Sequence, residues 1–122
     1  MSTLMADYAV RVDSRDADGW ADIFIPDGVL TFAGKRVEGR EALAAFAAAS
    51  PPGIHLGGSP TIADDGEILS VRSQFVFVPA DGSRVLAGSY HDRVLDDGTT
   101  ARLVERAIEI VASMKPGRAA TG

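Results

Sequence analysis

Four residue types in this chain suit the movement of protons: an aspartate, a histidine, a tyrosine and an arginine. Asp13 follows Tyr8 by five residues in YAVRVD, near the start. On a helix, residues three or four apart share a face, and residues five apart diverge by about 140°. Leu4, Met5, Tyr8, Ala9 and Val12 then form one apolar stripe, with Asp13 at its edge. A carboxylate there needs a partner if it turns inward. Read alone, it is more often a solvated surface acid. His55 stands between Ile54 and Leu56, ahead of Gly57 and Gly58, which let a ligand or another backbone come close. A lone histidine is nonetheless more often a satisfied core residue than a catalyst.

Strand alternation sorts the other candidates. Arg106 shares a face with Val104, Ile108 and Ile110, while Leu103, Glu105, Ala107 and Glu109 take the opposite one. The first set reads as the core face. An arginine placed among branched aliphatics needs a carboxylate or a bound anion. Asp92, on a face with Leu86, Gly88, Tyr90 and Val94, is a candidate partner. Tyr90 and Asp92 are assigned to a substrate pocket on that face. His91 keeps company with Arg93 and reads as outward or at the rim. Trp20 and Phe24, four apart, read as core residues that also wall a pocket.

Composition narrows the chemistry. The chain of 122 residues has no cysteine, which excludes disulfides, thiolate nucleophiles and cysteine-held metals. Its two histidines, on different faces, do not make a zinc-type site, and neither a metal nor a cofactor is expected. No phosphate-binding glycine loop, dinucleotide fingerprint or nucleophile elbow occurs. A net charge of −5 argues against nucleic acid or an anionic membrane as partner. No apolar run approaches the roughly 20 residues of a membrane helix. The first residues lack the basic and apolar regions of a signal peptide, so a cytoplasmic location is the default.

The elements that must position these residues follow from punctuation. Residues 3–15 read as a helix. Asp18 is expected to cap a second, short helix through Phe24, and Pro26-Asp27-Gly28 to turn. A short strand over Val29–Phe32 and a hairpin through Gly34 come next. A helix over Gly39–Ala49 follows, with Leu43 and Phe46 on its buried face and Pro51-Pro52-Gly53 as its stop. Four strands are expected after it: Ile54–Ala63, Glu67–Val78, Arg84–Leu95 and Thr99–Val111. The turns Asp64-Asp65-Gly66, Ala80-Asp81-Gly82 and Asp96-Asp97-Gly98 separate them. Helices first and strands after is an α+β pattern, with one domain over 1–114 and a frayed tail over 115–122. A strongly curved sheet around the N-terminal helices would enclose a pocket. Val71, Phe75 and Phe77 are either core or a sheet-to-sheet face. Both faces of that strand turn apolar toward its end, so an oligomer is expected.

The stretches YAVRVDSRDADGWADIFIPDGV, KRVEGREALAAF, GIHLGG, AGSYHDRVLDDG and ARLVERAIEI, spread over residues 5–112, resemble the SnoaL-like branch of the nuclear transport factor 2-like superfamily. The resemblance implies a cone of curved mixed or antiparallel sheet closed by N-terminal helices. The functional likeness is to scytalone dehydratase, hexachlorocyclohexane dehydrochlorinase and bile-acid dehydratase, which share an Asp–His dyad. Asp13 and His55 occupy the matching places. The resemblance further implies that Tyr8 sits near a leaving group and that Arg106 belongs to the site.

The implied function is that of a cofactor-independent lyase or isomerase acting on a small, largely apolar molecule. His55 would be the base, Asp13 its orienter, Tyr8 a hydrogen-bond donor and Arg106 a stabiliser of negative charge. A polyketide cyclase or epoxide hydrolase built on Asp13, Asp92 and Arg106 is a second reading. A non-catalytic module that binds a ligand or dimerises is a third. The expected assembly is a homodimer or homotrimer.

Overall fold

The computed structural model describes residues 10, 11, 13, 16–65, 67–97 and 99–115. Val10, Arg11 and Asp13 are helical. The rest of the expected first helix, Tyr8 included, and the residues of the tail beyond 115 lie outside the described residues. Asp16, not Asp18, caps the next helix: its Oδ1 accepts from the Gly19 N–H at 3.0 Å. That helix, α1, covers only Ala17–Ala21. It does not run through Phe24, because Phe24 opens the first strand, β1 (Phe24–Phe32). Pro26-Asp27-Gly28 is therefore not a turn between elements but an irregularity inside β1, where its pairing shifts register between Phe24 and Val29. Proline has no N–H to give a ladder, so the strand bulges there and resumes.

Ala33 and Gly34, with φ of 52° and 79°, make the left-handed turn into β2 (Lys35–Glu38). Helix α2 (Arg40–Ala49) follows. Leu43 and Ala47, one turn apart, are its buried residues, and Phe46 is only half-buried. The Ser50 hydroxyl donates to the Phe46 carbonyl at 2.9 Å where the helix ends ahead of the prolines. An Arg40–Asp22 ion pair links α2 to the segment after α1.

The single strand expected over Ile54–Ala63 is two strands, β3 (Gly53–Gly57) and β4 (Thr61–Asp65). Gly58, Ser59 and Pro60 interrupt it, since proline cannot donate to the ladder. Both halves pair antiparallel with one long strand, β5 (Ile68–Pro79). Strands β6 (Val85–Asp96) and β7 (Ala101–Met114) complete a seven-stranded sheet. Its order is β2-β1-β7-β6-β5-β3, with β4 also on β5. All pairings are antiparallel except β1 with β7. The sheet is mixed, curved and unclosed, in an α+β fold.

The inner face of the sheet carries the core. Val71, Phe75 and Phe77 on β5 are buried there and are not an outer docking face. Leu103 is fully buried as well, against its expected outward place on β7. Arg93 pairs with Glu105 and Val94 with Leu103, which leaves Val104 as an extra residue. The bulge turns Leu103 and Arg106 toward the same side, although three positions separate them. Two glycines leave room for aromatic rings. A Cβ on Gly88 would meet Phe75 at 2.9 Å, and one on Gly53 would meet the Phe77 ring at 2.6 Å.

Candidate active site

His55 lies on β3, the strand at one edge of the sheet. Its neighbours Ile54 and Leu56 are exposed, each at 58%, so His55 is the inward residue of the three. The Asp13 carboxylate meets it with both oxygens. Oδ2 accepts from the His55 backbone N–H at 2.8 Å. Oδ1 lies 2.6 Å from the ring Nδ1. A carboxylate only accepts, so this contact takes a proton on Nδ1, and in the neutral ring Nε2 then holds the lone pair. Both side chains are largely buried, with 19% and 21% exposure. The double contact ties the strand and the edge of the imidazole to one carboxylate. The underside of the ring rests on Phe77, with ring centroids 4.4 Å apart.

A cavity of about 240 Å³ opens beside this pair. Phe75, Phe77, Leu86, Tyr90 and Ile108 come from the sheet, and Phe46 comes from α2. His55 lines the same space, and no Asp, Glu, Lys or Arg lines it among the described residues. The site thus offers one imidazole against an apolar wall, which suits removal of a proton from an uncharged molecule.

Arg106 is fully buried and faces Asp92 across β6 and β7. Its Nε donates to Asp92 Oδ1 at 2.8 Å, and its Nη2 donates to Oδ2 at 2.7 Å. This planar two-point pairing is the strong geometry for arginine and a carboxylate. The guanidinium carbon lies 3.8 Å from the centre of the Tyr90 ring. Phe75 stacks on Tyr90 at 4.5 Å and 12°. Both cannot occupy one side of the ring, so Tyr90 is held between Arg106 and Phe75. Tyr90 is thus a wall of the cavity, and Arg106 stands behind it.

Other expected pocket residues are placed differently. Trp20 and Phe24 are core residues, with ring centres 5.1 Å apart. Trp20 stacks at 6.0 Å on Phe46, which does line the cavity. Asp92 is occupied by Arg106 and does not line the cavity. Sequence reasoning did not single out Phe32, Phe46, Phe75, Phe77, Leu86 and Ile108 as the cavity wall. Their common signal was position: Phe75, Phe77, Leu86 and Ile108 alternate on the same faces as Tyr90 and His55. His91 is on the outer face, as its company suggested, where its Nδ1 accepts from Arg72 Nε at 3.3 Å.

Comparisons with known proteins bear on the family and the fold. The model of the SnoaL-like domain matches residues 1–107. A protein of unknown function from Mycobacterium tuberculosis is 29% identical, with a TM-score of 0.82 over 90% of this chain and 69% of that one. A candidate scytalone dehydratase from Novosphingobium aromaticivorans is 16% identical, with a TM-score of 0.81 over 97% of this chain and 86% of that one. A hexachlorocyclohexane dehydrochlorinase is also 16% identical, with a TM-score of 0.80 over 93% and 84% of the two chains. At such identities the likeness to the last two is one of fold. No curated protein sequence matches the chain.

Proposed function

Because this chain belongs to the SnoaL-like domain family, we propose that it is a cofactor-independent lyase of the dehydratase kind, or an isomerase, acting on a small, largely apolar molecule. The observation that carries this reading is the two-point hold of Asp13 on His55 at the wall of an apolar cavity. In the reaction, His55 Nε2 takes a proton from carbon. In the dehydratase form, the electron pair so released forms the new double bond, a hydroxyl departs from the neighbouring carbon, and the proton held on Nε2 passes to it to give water, which returns the imidazole to its neutral form. Asp13 keeps the ring oriented and stabilises the imidazolium while it exists. Tyr8 is assigned to the leaving hydroxyl on the family likeness. Arg106 acts from behind Tyr90, as the charge that fixes that ring in the wall. Arg106 and Asp92 neutralise one another there, which weighs against water activation by that pair and so against the hydrolase reading.

The test is a panel of uncharged hydroxylated cyclic ketones, followed by the absorbance of the new conjugated double bond. His55→Ala is expected to keep the fold by circular dichroism and to lower kcat by about 10²–10⁴-fold. An undiminished rate in that variant rejects the assignment. The reading takes the protein as cytoplasmic and self-associating. Support for self-association comes from a run of exposed apolar residues across the outer sheet, including Val76, Val78 and Val111.

A further inference from the structure

The inner face of β5 carries two phenylalanines that lean in opposite directions. Phe75 reaches over Gly88 of β6 and stacks on Tyr90. Phe77 reaches over Gly53 of β3, where a Cβ would meet its ring at 2.6 Å, and lies against His55. The divergence of the two rings opens the cavity floor between them. Phe77 is also the cross-strand partner of His55 in register. The His55 N–H bonds Asp13 rather than β5, so the two residues form the non-hydrogen-bonded kind of pair, in which side chains come closest. Phe77 itself is 6% exposed and has little freedom to move.

We propose that Phe77, seated on Gly53, is a positioning residue for His55: its ring closes the side of the imidazole that Asp13 leaves open and keeps Nδ1 turned to the Asp13 carboxylate. The inference rests on the reading of His55 as the base and deepens it. Asp13 grips the ring along its edge, at Nδ1, and that grip alone permits rotation about the hydrogen bond. An aromatic face tilted 35° at 4.4 Å blocks that rotation. The ring face also presents negative electrostatic potential to the imidazole, so it favours the moment at which the base becomes positive. Among the described residues, Asp13 is the charged group paired with this ring.

Nitrogen-15 NMR of the imidazole tests this without any substrate. The chain has two histidines, so a His91→Gln background leaves His55 as the single signal. The native ring should show its proton on Nδ1 in slow exchange with water. In Phe77→Leu, which keeps an apolar side chain of near volume, that exchange should rise about three- to tenfold, with both ring nitrogens sharing the proton. Phe77→Tyr, which keeps the ring, should restore the native spectrum. An unchanged spectrum in Phe77→Leu, or a Phe77→Tyr spectrum as altered as that of Phe77→Leu, overturns the role of Phe77. Asp13→Asn in the same series separates the two failures. A His55 ring that responds to Asp13→Asn but not to Phe77→Leu leaves the dyad standing and removes Phe77 from it. One that ignores Asp13→Asn removes the dyad, and the Phe77 role with it.

Discussion

Arg106 shows how a single side chain can be read correctly in kind and still be placed differently in space. Its sequence setting demands a carboxylate, and Asp92 meets that demand with two short bonds at nearly complete burial. A buried ion pair contributes little beyond a well-packed apolar pair, but loss of one member leaves a charge without compensation. Arg106→Met should therefore cost about 3–5 kcal/mol in urea unfolding, and the double variant Arg106→Met with Asp92→Leu should regain most of it. A single variant that loses under about 1 kcal/mol would mean that the pair is not the tie described. Asp13 shows the converse. Its place at the edge of a helical stripe left it equally suited to solvent, and only the approach of β3 gives its two oxygens their donors.

At the scale of elements, the turns were legible because their chemistry is local. Asp97 accepts from the Thr99 and Thr100 N–H groups at 2.8 and 2.7 Å in the turn from β6 to β7. Asp81 accepts from the Ser83 N–H at 2.8 Å in the turn from β5 to β6. Hydrogen bonds from Thr100 first, and then Thr99, hold the Asp97 carboxyl below its ordinary 3.8. The Ser83 hydroxyl, then its N–H, does the same for Asp81. A carboxyl lowered in the folded state stabilises above its unfolded value, and that stability is lost as pH falls through the folded one. Asp97→Ala should thus melt lower than the native protein near neutrality, and the gap should narrow at about pH 3. Equal gaps at both pH values would show that the ionised form is not what the turn uses. The element boundaries that sequence misjudged, in β1 and between β3 and β4, lie at Pro26 and Pro60. A proline signals a break in hydrogen bonding, but not whether the chain turns away or bulges and continues.

On the whole molecule, the outer sheet is the unfinished surface. Ile54 pairs with Val78, Leu56 with Val76, and Val76 with Ala87, so their side chains make one patch across three strands. Val111, at the irregularity of β7, extends it at 69% exposure. A stable association between chains covers about 800 Å² on each partner. The native protein should sediment as a dimer or trimer at micromolar concentration, and Val76→Asp combined with Val111→Asp should reduce it to single chains with the fold kept. A native protein that sediments as a single chain would leave the patch without this role. No described helix is long and apolar enough to cross a membrane.

Alternation, turn residues and helix formers by themselves determined the α+β order, the inner face of β6, and the need of Arg106 for a carboxylate. These are short-range matters, set by backbone geometry and by the cost of burying a charge. The meeting of Asp13 and His55 was expected from the family likeness and not from the residue pattern, and tertiary structure alone decided that Arg106 stands behind Tyr90 and that Phe77 lies beneath the imidazole. Each depends on sheet curvature and on single-residue bulges, such as the one at Val104, which redirect every side chain beyond them. A pattern with a period of two carries no record of where that period slips.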